Sequence, residues 1–217
     1  MNGPRILNLY AGLGGNRELW GSDVSVTAVE LDPAIAGVYA SRFPDDETVV
    51  GDAHDFLLHR FRDFDIIWSS PPCPTHGQYR FNVGVKAKGY APAFPNMELY
   101  EEIIFLKHHH AGQWVVENVA PYYEPLVAPT VRLQRHLIWS NFDIPARDFG
   151  AKGIRYKSKI SDYADRGISL DGTGVTNKRQ ALRNLVDGEM GAHVLRAALG
   201  DTDQLVADEL TLWGGVA

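Results

Sequence analysis

The chain contains one cysteine, Cys73, in the run Ser69-Ser70-Pro71-Pro72-Cys73-Pro74-Thr75-His76-Gly77, directly after the apolar stretch 65–68. A lone thiol forms no internal disulfide and builds no thiolate zinc site by itself. Prolines on either side fix φ and reduce the freedom of the loop, which holds a nucleophile still. At an ordinary pKa of about 8.5 only a few per cent of a cysteine is thiolate at neutral pH, so catalysis needs a basic or dipolar setting. His76, Arg80 and the basic residues further along the chain are the candidates. A buried structural role is the commoner fate of a lone cysteine, but a polar, proline-rich strand exit is a poor place for one.

A second reactive group is the acid of Trp114-Val115-Val116-Glu117-Asn118-Val119. In an apolar setting Glu117 holds its proton more readily and can protonate a ring nitrogen; as a plain strand-end charge it would face water. Nearer the start, Asn8-Leu9-Tyr10-Ala11-Gly12-Leu13-Gly14-Gly15 is a glycine turn leaving a strand, and Glu30 closes the next strand. Such glycines let backbone approach a ligand, and an acid there can accept hydrogen bonds from two ribose hydroxyls. A dehydrogenase uses nearly the same layout. The third glycine of the dinucleotide fingerprint, however, falls on Arg17. A cofactor with one nucleoside and no pyrophosphate fits better, S-adenosylmethionine foremost. Gly51-Asp52 follows the third strand at the same edge. Asp52, or Asp55 beyond it, could accept from an adenine amino group or simply cap a helix.

These groups need a scaffold that gathers several strand ends. Through the first half, short apolar runs alternate with helical patterns, as in stacked βα units on a mostly parallel sheet. Strands are predicted at 5–10, 24–30, 48–50, 65–68 and 114–119, with a sixth at 135–139 and part of a seventh at 142–144. Helices are predicted at 33–42, 55–60 and 178–199. Another starts at Asn96, with Met97, Tyr100, Ile103, Ile104 and Leu106 at helical spacing and Glu98, Glu101 and Glu102 on the other face. Residues 69–95 form a long aperiodic loop, a length that usually serves function. Residues 145–175 read as irregular and basic.

At 217 residues the chain has the length of one domain, and 45% hydrophobic with 22% charged residues is the composition of a folded protein. No run of about 18 apolar residues occurs and the first residues lack the features of a secretion signal, so a soluble, cytoplasmic protein with no membrane partner is expected. The formal charge of −6 conceals a segregation: residues 1–70 carry −6, residues 71–200 carry +4 and residues 201–217 carry −4. Lys152, Arg155, Lys157 and Lys159 cluster, as do Lys178, Arg179 and Arg183. One face of an acidic protein can thus meet a polyanion; solvated surface charge is the plainer alternative. The adjacent His108, His109 and His110 project in different directions without an acid or cysteine pattern, and suit the negative end of a helix better than a metal, so none is expected.

In chain order, Leu9 to Gly15 (LYAGLGG), Glu30, Gly51-Asp52, Pro72-Cys73 and Glu117-Asn118-Val119 resemble the cytosine-5 DNA methyltransferases, most of all the compact, phage-encoded members. The resemblance implies a Rossmann-like S-adenosylmethionine-dependent methyltransferase fold, with a doubly wound, mostly parallel seven-stranded sheet in a single α/β domain over 1–217. It implies that Cys73 attacks C6 of a cytosine flipped out of double-stranded DNA while Glu117 protonates or hydrogen-bonds N3, after which C5 takes a methyl group from S-adenosylmethionine. It puts Tyr10, Ala11, Gly12, Gly14, Gly15, Glu30, Leu31, Asp52 and Pro72 about the cofactor, with Glu30 on its ribose and Asp52 on its adenine. Pro71 and Asn118 fall beside the substrate, and the segment 77–89 would close over the base.

The arginine-bearing strand of that family is matched by Arg135, with Arg132 as second choice, although the spacing differs. Arg183-Asn184-Leu185-Val186 is similar to the final motif, whose asparagine, here Asn184, lies by the cofactor. The prolines expected after it are replaced by Asp187-Gly188-Glu189, Asn8 stands where an acid is usual, and Pro74 where a glutamine is usual. The interval that normally holds a target-recognition domain is too short for one. Residues 146–177 and the loop after Cys73 must then read the target, with Lys152, Arg155, Lys157 and Lys159 on phosphates and a short or relaxed recognition sequence. A tRNA cytosine-5 methyltransferase shares these groups. A non-catalytic nucleic-acid-binding relative is a further alternative, opposed by retention of both Cys73 and Glu117.

Overall fold

A computed structural model describes residues 3–78, 80–91, 93–149 and 167–201, so Lys152, Arg155, Lys157 and Lys159 lie outside the described residues. The strands are β1 (Arg5–Leu9), β2 (Ser25–Glu30), β3 (Glu47–Val50), β4 (Ile66–Ser69), β5 (Gln113–Val119), β6 (Val131–Leu133) and β7 (His136–Ser140). They form one sheet in the order β3-β2-β1-β4-β5-β7-β6, the first five parallel and β7 antiparallel to both its neighbours. The helices are α1 (Pro33–Arg42), α2 (Ala53–Arg60), α3 (Glu98–His109), α4 (Lys178–Arg183) and α5 (Gly188–Leu199). The chain winds outward from β1 to β3, then returns to lay β4 and β5 on the other side of β1. That reversal opens a crevice at the carboxyl ends of β1 and β4, where open α/β sheets bind their ligands.

Side chains alternate across a strand, so each strand feeds two cores. Ile6, Val26, Trp68 and Val115 pack with Met190 and Val194 of α5 on one face. Leu7, Val29, Ile67 and Val116 pack with Leu57 of α2 and Ile103 of α3 on the other. Cover on both faces is the reason the parallel strands read as continuous apolar runs.

Four features differ from the sequence expectations. The sixth strand is Val131–Leu133, which forms a hairpin with His136–Ser140, while Phe142 to Ile144 packs on the core without joining the sheet. The hairpin turns at Gln134, whose φ of 52° is left-handed; glutamine there gives no turn signal. The helical region 178–199 divides, because the Asp187 carboxylate accepts from the Glu189 N–H at 2.9 Å and starts α5 afresh. Within the long loop, Arg80–Ala87 winds as a π-helical segment. Finally, Glu102 is fully buried rather than on a solvent face.

The last described helix, α5, docks directly on the turn after β1. A Cβ on Gly191 would sit 2.1 Å from the Asn16 carbonyl oxygen, and one on Gly15 would sit 2.3 Å from that of Val186. Backbone cannot yield there as a flexible side chain could. Gly191→Ala is therefore expected to destabilise the fold by about 1–3 kcal/mol, read as a lower midpoint in urea unfolding; an unchanged midpoint would show that the two segments separate at no cost.

Candidate active site

The turn after β1 begins with Tyr10 and Gly12 both at φ 55°, a conformation that strains tyrosine and suits glycine. A Cβ on Gly12 would meet only the Tyr10 carbonyl oxygen at 3.9 Å, so this face of the turn is open. Glu30 holds the turn against β2, one carboxylate oxygen accepting from the Gly12 N–H and the other from the Asp32 N–H, each at 2.9 Å. Beside it opens a cavity of about 1000 Å³, at the upper end of the range for small-molecule sites.

The cavity is lined by Glu30, Leu31 and Asp52 and by Cys73, Glu117 and Arg135; Tyr10, Ala11, Gly15, Pro71, Pro72, Asn118, Arg132 and Asn184 also face it. Asp52 does cap α2, accepting from the Asp55 N–H at 3.0 Å, and lines the cavity as well. Asp55 instead faces His59 across an exposed 3.5 Å pair. The absent side chain of Gly14 points at the rings of Tyr39 and Phe43, a packing reason for that glycine. Arg17 is buried, its guanidinium held by Asp46 at 2.9 and 3.0 Å.

Cys73 and Glu117 converge because β4 and β5 are parallel neighbours, with Ser69 in register with Val116. The Asn118 amide then donates to the Pro71 carbonyl at 2.9 Å, tying the end of β5 to the cysteine loop. Burial pushes the Cys73 thiol up, and the Glu117 charge adds to that; Arg135 and Arg183 draw it down. Of the cations considered, these two from the basic middle of the chain act on the sulfur. His76 turns its Nδ1 to the Tyr123 hydroxyl at 2.5 Å, and its burial disfavours the charged form. Arg135 donates from Nε to His136 Nε2 at 2.9 Å and from Nη2 to the Arg183 carbonyl at 3.1 Å.

The loop beyond Cys73 lies along the cavity and contributes Arg80, Lys88 and Tyr90 to its wall. It is pinned where Gly77 pairs with Pro121, where Phe81 stacks on Tyr122 at 4.1 Å, and where the Asn96 N–H donates to Thr75 Oγ1 at 3.0 Å. Residues 66–97 include Arg80, Lys86 and Lys88 and no acid, and Phe94 is 88% exposed.

One polar cluster escaped the sequence reading. The buried Glu102 carboxylate accepts from Tyr10 Oη at 2.6 Å and Ser69 Oγ at 2.5 Å, and pairs with His54 Nδ1 at 3.1 Å. It thereby joins α2 and α3 to the ends of β1 and β4. A signal was present: Glu102 falls on the helical stripe of Leu99, Ile103 and Leu106, which faces the core.

The residues present fit S-adenosylmethionine. Gly12 leaves backbone open to the cavity, and the Glu30 carboxylate, a two-oxygen acceptor, keeps lone pairs beyond its two backbone bonds. The family described as C-5 cytosine-specific DNA methylase matches residues 4–119, so the fold and site define a Rossmann-like methyltransferase and the chain belongs to that family. Membership implies S-adenosylmethionine as methyl donor. No curated protein matches the chain.

Among solved structures, a SAM-dependent methyltransferase of Agrobacterium tumefaciens is 15% identical, with a TM-score of 0.40 over 56% of this chain and 40% of its own. A TehB-like SAM-dependent methyltransferase of Corynebacterium glutamicum is 22% identical, with a TM-score of 0.38 over 58% of this chain and 60% of its own. A variant of Spodoptera frugiperda DNMT2 is 23% identical, with a TM-score of 0.36 over 54% of this chain and 35% of its own. Among the described residues no three His, Cys, Asp or Glu side chains form a metal-holding group, and no helix is long and apolar enough to cross a membrane.

The Glu102 cluster carries its own pH dependence. The hydrogen bond to Glu102 raises His54 from its ordinary 6.5 to about 8, against the opposing effect of burial. A raised histidine pKa contributes stability that is full below about 6.5 and lost as pH climbs through about 8. The lead of the protein over His54→Gln in thermal melts is expected to shrink across that window, since the buried His76, His110 and His136 impose the opposite trend on both alike; parallel profiles would refute the coupling.

Proposed function

We propose that the chain is an S-adenosylmethionine-dependent methyltransferase that modifies C5 of cytosine in double-stranded DNA through a covalent adduct with Cys73. The observation that carries this reading is the meeting of the Cys73 thiol and the Glu117 carboxyl on one cavity, each within electrostatic reach of the other. A proton on Glu117 removes the charge that opposes thiolate formation, so the acid and the nucleophile are poised together. The Cys73 sulfur forms a bond to C6, and the electron pair displaced into the ring is met at N3 by the proton of Glu117. Arg135 and Arg183 favour the thiolate before attack. S-adenosylmethionine, when bound, supplies an electrophilic methyl group. Once C5 has taken the methyl group, with the donor's methyl–sulfur bond broken, loss of the C5 proton to water expels Cys73 as thiolate, and N3 returns its proton to Glu117 as the aromatic ring is restored.

Gly12, Glu30, Leu31, Asp52 and Asn184 would hold the cofactor, and Tyr10 would lie against it. In this reading Asn118 acts through the loop, keeping Pro71 and with it Cys73 in place. A base inside a duplex hides its C6 face, so the cytosine must leave the stack. The acid-free loop with its exposed Phe94 supports a nucleic-acid partner, since basic and aromatic side chains serve phosphates and bases. The whole chain would act as one catalytic domain, with 146–177 as its small target-recognition region.

Transfer of tritium from labelled S-adenosylmethionine is expected to duplex DNA, and mapped product to show a short or relaxed target sequence. Transfer to tRNA alone would move the reading to RNA. Cys73→Ala should lose transfer by about 1000-fold or more while still binding the cofactor in calorimetry, and Glu117→Gln should lose about 100-fold. An active Cys73→Ala would end the assignment of the nucleophile.

A further inference from the structure

One buried side chain at the site plays no part in the chemistry so far. His136, the first residue of β7, is 4% exposed and also lines the cavity. In the β5–β7 register it stands opposite Val119, which makes Glu117 its diagonal neighbour on the same face. Its Nε2 lies 2.9 Å from Nε of Arg135, and its Nδ1 lies 3.4 Å from Oε1 of Glu117, with no hydrogen-bond partner among the described residues. The imidazole thus sits between the cation and the acid of the site.

The neighbours decide where the ring keeps its proton. A guanidinium has donors only and stays charged, so Nε2 must be the accepting, hydrogen-free nitrogen. A second buried cation against Arg135 would add repulsion to the cost of desolvation. The ring is therefore neutral, and its one hydrogen is on Nδ1, toward the carboxyl. Glu117 from β5, Arg135 from the β6–β7 turn and Asp187 ahead of α5 are the charged groups acting on the ring, and burial, with Arg135 on its side, outweighs the two acids in keeping it uncharged.

We propose that His136 is a positioning residue: as the Nδ1–H tautomer it stands between Arg135 and Glu117, its N–H facing one carboxyl oxygen at 3.4 Å so that the other is presented to the base. This rests on the roles given above to Glu117 and Arg135. A donor facing one oxygen sets the orientation of the carboxyl's free edge. The same ring gives the Arg135 Nε an acceptor, which with the Arg183 carbonyl fixes the guanidinium plane. One side chain thereby sets both the direction of the acid and the place of the cation that favours the thiolate.

Nitrogen NMR of the labelled, ligand-free protein is expected to show His136 neutral with its hydrogen on Nδ1. The opposite tautomer, or a cation at neutral pH, would overturn the proposal whatever the activity. In kinetics, His136→Leu keeps the bulk and removes both links, and should lower kcat by about 100-fold with KM for DNA and cofactor changed less than about threefold. His136→Asn, which can still donate from the Nδ1 position, should recover part of kcat, again with KM little changed. Two folded variants with wild-type kcat would overturn the proposal. A wild-type chain that transfers no methyl group would strike at the role of Glu117, while the tautomer measurement would stand on its own.

Discussion

The parallel pairing of β4 with β5 is the constraint on which the chemistry depends. Cys73 lies past the end of β4, whereas Glu117 lies within β5 just beyond the last residue paired with β4, and their meeting is a matter of register. With Ser69 opposite Val116, the cysteine loop leaves β4 beside the acid. A slip of one residue would turn every side chain of a strand to the other face. The two-sided apolar core forbids that slip, because Ile67 and Trp68 are each committed to a different layer. The Asn118 amide on the Pro71 carbonyl then converts strand register into side-chain position.

Around that pairing the site works by opposed charges in a sheltered space. The Glu117 that would give up a proton in the proposed reaction holds the thiol up while it is ionised, and Arg135, which draws the thiol down, is anchored on a backbone carbonyl and an imidazole. An arginine tied to a carboxylate would have part of its charge answered. Anchored on a carbonyl and a neutral ring, Arg135 keeps its charge for the cavity.

The parallel half of the fold was legible because its strands are short apolar runs closed within a few residues by glycine, proline or acid, and the motifs at their ends follow in order. The antiparallel edge was not. Gln134 makes a left-handed turn without the glycine or asparagine that would announce it, so the strand before it passed unnoticed and the next was counted as the sixth. Glu102 was misread because charge suggested solvent, whereas its spacing from Leu99 and Leu106 pointed inward. Its partners Tyr10, Ser69 and His54 come from three other elements, and no local pattern reveals a pairing that only the tertiary fold creates. The break between α4 and α5 rested on one capping aspartate inside an otherwise continuous apolar period.

The glycine turn that faces the cavity follows the first described strand, yet the backbone it leans on belongs to Val186 and to Gly191 in the last described helix. On the ribosome the sheet centre can assemble while the turn still waits for its backing, so a nascent chain presents strands long before it presents a finished pocket. Such separation in sequence slows closure, and it makes ligand capture wait on the segment that carries Val186 and Gly191.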